Sequence, residues 1–178
     1  SLTSLVTFFK RFKSKIYKAE KINTHGGSLR IYVKKNPKIQ IEKSVKSLLI
    51  EEEKFGIKKY KTYQNFAKKV YKIRDNVRKN ILKLKENGTK IIGYGSPAKA
   101  TTALNFFGIS DEIECIVEDN KLKQGKLLPG VKIPIVSKSD IKGKPDFALV
   151  LAWNFINEIK SKNVDLAHKF ISIKDLEN

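Results

Sequence analysis

Apolar residues recur along this chain at two spacings, and the texture changes near residue 90. At the start, Leu2, Leu5, Val6, Phe9 and Phe12 return every three or four positions. That spacing predicts a helix over residues 1–20, with Ser1 or Thr3 as its cap. A turn-rich stretch, Asn23-Thr24-His25-Gly26-Gly27-Ser28, leads into Leu29–Val33, which alternates like a strand. This small unit cannot cover both faces of its strand and reads as the edge of a larger sheet. Pro37 punctuates the chain, and residues 39–55 and 61–87 read as two helices. In the second, Tyr63, Phe66, Ala67, Val70, Ile73, Val77, Ile81 and Leu84 form one apolar stripe, expected to pack in the core, and Asn87-Gly88 supplies the stop.

From Lys90 short apolar runs alternate with helical ones. Ile91-Ile92 is a strand entering Gly93-Tyr94-Gly95, and Pro97–Phe107 is a helix ended by Gly108. Ile113–Val117 is the next strand, closed by Glu118-Asp119-Asn120. A loop with Gly125, Pro129 and Gly130 precedes a short strand over Lys132–Ile135. Phe147–Leu151 is a buried strand, residues 154–162 are helical, and His168–Ile173 is the last strand. Strands apolar on both faces and alternating with helices predict an α/β fold, Rossmann-like and three-layered, with a mostly parallel sheet covered on both sides. There is no internal repeat and no low-complexity tract.

Hydrophobic residues make up 40% of the 178, enough to build a core and to exclude global disorder. The net charge of +19 is uneven: residues 1–90 hold 25 Lys/Arg against 7 Asp/Glu, the remainder 12 against 11. A basic half admits a nucleic-acid-binding reading. Arginine is rare beside lysine there, and a lysine-rich solvated face accounts for the charge without a ligand. One cysteine and two histidines exclude a disulfide and a cysteine-based zinc site within one chain, and the pattern suits a reducing cytoplasm. No apolar stretch reaches the roughly 18 residues of a membrane helix. The lysines near the start follow the apolar residues instead of preceding them, unlike a signal peptide. The chain has no methionine and reads as a piece of a longer one.

The candidate chemistry sits where the first strand of the second half turns through glycines into a helix. Amides there have no helical partner and the helix end is partly positive, which suits phosphate. Gly93, Gly95, Ser96 and Lys99 are the expected diphosphate contacts, with Tyr94 and Pro97 in the same loop. Asp119, 24 residues after Gly95, and Asn120 are placed to meet a nucleoside end. Lys123 and Gly125 lie in a loop able to close over a ligand, although Lys123 also reads as plain surface lysine. Asn154 reads as a helix cap as well as a ligand contact, Trp153 as core or as a stacking surface, and His25 equally as a substrate contact or a turn residue. His168 reads as structural. No catalytic residue and no metal ligand is assigned. Ala98 replaces the third glycine of a dinucleotide fingerprint, and Ala100 the hydroxyl of an ATPase loop. The first substitution speaks against an NAD-type oxidoreductase, a further alternative.

Gly93-Tyr94-Gly95-Ser96-Pro97-Ala98-Lys99-Ala100-Thr101-Thr102 resembles the GYGAPAKxxT signature of the C-terminal domain of SAM-dependent sugar C-methyltransferases. Asp119-Asn120 with Lys123-Gln124-Gly125, then Leu128-Pro129-Gly130 and Ile133-Pro134-Ile135, is similar to a further run of that family. Trp153-Asn154 matches its P-W-N with Ala152 in place of proline, and Thr24–Arg30 its T-H-G-G-S-L-R. The four motifs stand in the family's order; Ser96 for alanine is a mild departure.

The resemblance implies that residues 1–35 close a SAM-binding domain, 36–88 are a helical connector and 89–178 are a Rossmann-like domain for a nucleotide-linked sugar. It implies a parent enzyme of deoxysugar biosynthesis that moves a methyl group from S-adenosylmethionine to a carbon of a nucleotide-diphosphate ketosugar. The methyl-donor loop, the acid/base Tyr-x-Glu-His segment and a zinc-binding domain would lie upstream, so this chain alone is expected to be inactive. The expected partner is a nucleotide-diphosphate sugar, with no membrane and no nucleic acid; the oligomeric state and the identity of the sugar and base are left open.

Overall fold

The computed structural model describes residues 1–36 and 38–178, apart from the His25 side chain; the Pro37 breakpoint lies outside the described residues. The chain divides into two compact units, Ser1–Ala67 and Lys68–Asn178.

In the first unit α1 (Leu2–Lys10) precedes an antiparallel hairpin of β1 (Lys15–Ile22) and β2 (Ser28–Lys34), and α2 (Lys43–Phe55) completes the core. The helix expected over residues 1–20 is therefore half strand. Lys13 turns the chain with a positive φ of 51° and ends α1. The misreading has a physical source. A bulge between Ile16 and Lys18 breaks the period of two, so the buried Ile16 and Ala19 stand three apart, as on a helix. Leu2, Ile16, Ala19 and Val45 close this small core. Glu52 of α2 caps α1: one oxygen accepts from the Leu2 amide at 2.6 Å, the other from the Thr3 amide at 2.7 Å. Residues 39–42 stay outside α2, whose left-handed Gly56 ends it.

The second unit is a five-stranded sheet in the order β5-β4-β3-β6-β7, every pair parallel. The strands are β3 (Ile91–Tyr94), β4 (Ile116–Val117), β5 (Ile135–Val136), β6 (Phe147–Val150) and β7 (Lys169–Ser172). Both faces are covered, as the apolar runs imply. Val77 and Ile81 of α3 (Tyr60–Glu86) and Ala100, Leu104 and Phe107 of α4 (Ala98–Phe107) pack with Ile91, Leu149 and Ile171. On the other face Ile92, Tyr94 and Ala148 meet Ile159 of α5 (Ile156–Lys162) and, from the segment after it, Leu166 and Ala167.

Several boundaries differ from expectation. The strand read at Ile113–Val117 keeps only two ladder residues, Ile116 and Val117, and the Ile113 amide still closes a turn on the Ser110 carbonyl. The strand read at Lys132–Ile135 starts at Ile135, since Lys132 has a positive φ of 57°. The stripe on α3 outruns its contact surface: Ile73, Val77, Ile81 and Leu84 pack, whereas Tyr63 and Phe66 are 50% and 66% exposed. His168 exposes its side chain and anchors the last strand only through its amide on the Pro145 carbonyl.

Candidate functional site

From β3 the chain crosses to β4 on one side, and β6 returns on the other. A crevice is left open beyond the carboxyl ends of β3 and β6, where ligands of open parallel sheets bind. A cleft of about 420 Å³ lies there, lined by Tyr94, Gly95, Ser96 and Pro97 from the β3 loop, Glu118, Asp119 and Lys123 after β4, Ala152 after β6, and Phe155, Glu158, Ile159, Lys162 and Asn163 around α5.

The amides of Gly93, Gly95 and Ser96, expected as phosphate donors, each have a partner within the protein. Gly93 donates to the Cys115 carbonyl and Gly95 to the Val117 carbonyl, both at 2.8 Å. The Ser96 amide donates to the Glu118 carboxylate at 2.9 Å, and the Ser96 hydroxyl donates to the same oxygen at 2.5 Å. Glu118 also accepts from the Asn120 amide at 3.1 Å. Lys123 donates to the Ser96 carbonyl at 2.9 Å and stands 3.5 Å from Glu118. A protein carboxylate thus sits against the Ser96 amide and hydroxyl. Burial pushes the Glu118 carboxyl up, but the Ser96 hydroxyl, the Asn120 and Ser96 amides and Lys123 together outweigh it and hold it below the usual range.

A second network opens toward the cleft. The Tyr94 hydroxyl donates to Asp119 at 2.9 Å and accepts from the Asn163 amide group at 3.1 Å. Burial, then the Asp119 carboxylate that accepts its proton, pushes the Tyr94 phenol up to about 12. The phenol therefore stays neutral and remains a donor. Its contribution to stability is complete below pH 10.0 and is lost as pH rises through about 12. Asp119 itself is exposed, and its other oxygen carries no hydrogen bond among the described residues. Lys162 pairs with Glu158 at 2.6 Å. Glu118 is engaged by Ser96, Asn120 and Lys123 and Glu158 by Lys162, so Asp119 is the acceptor this cleft chiefly presents.

The structure brings Tyr94, Gly95, Ser96, Pro97, Asp119 and Lys123 together and leaves the other candidates elsewhere. Gly93 is buried in β3, where a Cβ would meet Ile116 at 3.0 Å and Leu151 at 3.1 Å; its role is packing. Lys99 does not line the cleft: its ammonium lies 4.2 Å from the centroid of the Trp153 ring, beside a second cavity. Asn120 makes a local turn, accepting from the Leu122 amide at 3.0 Å. Gly125 is exposed, and its amide donates to the Ile135 carbonyl. Asn154 is exposed inside a short 3-10 turn and caps nothing; Ala152 and Phe155 hold the cap positions. His25 sits in a 3-10 turn of the first unit, and its side chain is outside the described residues.

Glu118, Glu158, Lys162 and Asn163 were not among the expected site residues. Glu118 had a signal, since it ends the same strand as Asp119, but the nucleoside reading drew on the second acid alone. Asn163 had none: its partner Tyr94 is 69 positions away.

Gly95 turns with a φ of +84°, and a Cβ there would meet the Ala152 Cβ at 3.2 Å. Gly95→Ala is expected to cost about 1–2 kcal/mol, the strain of a left-handed L-residue. Urea denaturation of the two proteins measures it, and equal midpoints would refute it.

Two comparisons bear on this site. The sequence model of the C-methyltransferase C-terminal domain family matches residues 23–172. The C-methyltransferase NovU of Streptomyces niveus is 33% identical over 162 residues, which are 89% of this chain and 39% of that protein. The chain thus spans about 39% of the length of the relative it matches. Among the described residues no three of His, Cys, Asp and Glu converge as a metal would need, and no helix is long and apolar enough to cross a membrane.

Proposed function

The chain belongs to the C-methyltransferase C-terminal domain family, and from that premise we propose that it holds the nucleotide-diphosphate sugar on which a SAM-dependent C-methyltransferase acts. The observation that carries this reading is the polar cleft at the reversal of strand order, where Tyr94, Asp119 and Asn163 form one hydrogen-bonded chain. Asp119 accepts from substrate hydroxyls, and the neutral Tyr94 phenol keeps that carboxylate oriented. Lys123, fixed on the Ser96 carbonyl, and Lys162 offer positive charge to the phosphates.

S-adenosylmethionine supplies the transferable methyl group in such enzymes. No residue described here is assigned to it or to a metal, and no step of the transfer is placed on this chain. What the chain contributes is position: a substrate gripped at its nucleotide and hydroxyl groups presents its ketosugar carbon in one orientation.

Calorimetry with uridine- and thymidine-diphosphate sugars tests the reading. Binding is expected for one of them, weakened about tenfold in Asp119→Asn, the loss of roughly 1.5 kcal/mol when a charged acceptor becomes neutral. No heat from any nucleotide sugar would dismiss the substrate class, and an unchanged affinity in the variant would dismiss Asp119.

A further inference from the structure

Beside the cleft, α4 and the final 3-10 turn (Ile173–Leu176) border a second cavity of about 470 Å³ that the sugar-binding reading does not use. Its lining is of another kind. Trp153, Phe106, Phe107 and Ile173 give it apolar and aromatic walls, and its charged members are Lys99, Lys174 and Glu177. Phe106 is 36% exposed and is supported from behind: the Tyr71 ring lies 6.1 Å away and the Arg74 guanidinium covers both rings, at 4.9 and 6.0 Å. The Lys99 ammonium lies 4.2 Å from the Trp153 centroid, so this ring attracts a cation in the absence of a flat partner.

We propose that this aromatic cavity takes the heterocyclic base of the nucleotide, stacked on Trp153 where the Lys99 ammonium now lies. The inference rests on the nucleotide-sugar reading above and divides that substrate between two adjoining cavities. Their linings come close in the chain: Ala152 lines the cleft and Trp153, the next residue, the cavity, while Pro97 of the cleft and Lys99 of the cavity are two positions apart. The division follows the chemistry of each wall. A base needs an apolar aromatic face and finds it at Trp153; the sugar hydroxyls need an acceptor and find Asp119 in the cleft. On binding, the base replaces the Lys99 ammonium over the ring, and the ammonium turns to the phosphate.

Trp153 is the chain's lone tryptophan, so its fluorescence reports this cavity directly. Uridine diphosphate and thymidine diphosphate are titrated into the chain and followed in parallel by calorimetry and by Trp153 emission. Saturable heat and a change of emission are expected at one dissociation constant. Trp153→Leu, its fold checked by circular dichroism, is expected to weaken binding roughly 5- to 150-fold, the loss of one base–aromatic stack. Heat without an emission change, with unchanged affinity in Trp153→Leu, overturns the placement of the base and leaves the nucleotide reading standing. No heat from either diphosphate overturns both.

Discussion

Leu104→Ala is expected to lower the unfolding free energy of the second unit by about 2–5 kcal/mol, the range of a leucine truncated in a closed core. Leu104 is fully buried on the sheet-facing side of α4, in one cluster with Val77, Ile81, Ile91 and Leu149. Strand and helix neighbours both fix the surroundings, so the hole collapses little and the cost lies away from the low end. Leu122→Ala is the control: Leu122 is 78% exposed, and its truncation is expected to stay within about 0.5 kcal/mol. Urea denaturation of the three proteins gives the values. A Leu104 effect no larger than that of Leu122 would mean that α4 does not close this core. The result also matters for the ligand, because α4 carries Lys99 and Thr102 to one cavity while Pro97 at its cap lines the other.

Glu118→Ala is the second large effect, expected at about 2–4 kcal/mol, since several donors lose one charged acceptor together. The Ser96 amide and hydroxyl, the Asn120 amide and the Lys123 ammonium all converge on this carboxylate, whose side chain is only 13% exposed. Glu118→Gln keeps the shape and one acceptor, so it is expected to lie between the wild type and Glu118→Ala. The pH dependence has a definite sign. The folded-state carboxyl is held below its ordinary 4.5, so its contribution is complete above that pH and is lost as pH falls through the lower folded value. Thermal melts from pH 7 to pH 3 are therefore expected to fall less steeply in Glu118→Gln than in the wild type. Parallel slopes would show that Glu118 is not the titrating group. The truncation also empties the slot beside Ser96, so any anion held there by the variant and not by the wild type identifies the carboxylate as its occupant.

Much of the fold was legible because its signals are local. Gly108 and Gly56 end helices by adopting the left-handed conformation that a glycine permits, and the run Ile91-Ile92-Gly93-Tyr94 marks a strand buried on both faces. The same local logic failed at β1, where a bulge places Ile16 and Ala19 at helical spacing. It also failed at Tyr63 and Phe66, because periodicity shows which side of a helix is apolar and not how far the covering surface extends. At the candidate site, Asp119 and the glycine turn were readable from their order along the chain. The occupation of the turn by Glu118 was not, since order in the chain does not say which of two adjacent acids turns inward.

By itself the sequence determined the alternation of strand and helix in the second unit, the glycine turn at its first strand and the family to which the turn belongs. Those properties depend on residues a few positions apart, through backbone φ, side-chain period and helix ends. Tertiary structure alone decided that Glu118 accepts from Ser96, that Lys99 lies over Trp153, and that Asn163 completes the Tyr94–Asp119 pair. Each of those outcomes joins groups that are distant in the chain or chooses between near-equivalent neighbours, and only the packing of the sheet against its helices settles which polar atoms meet.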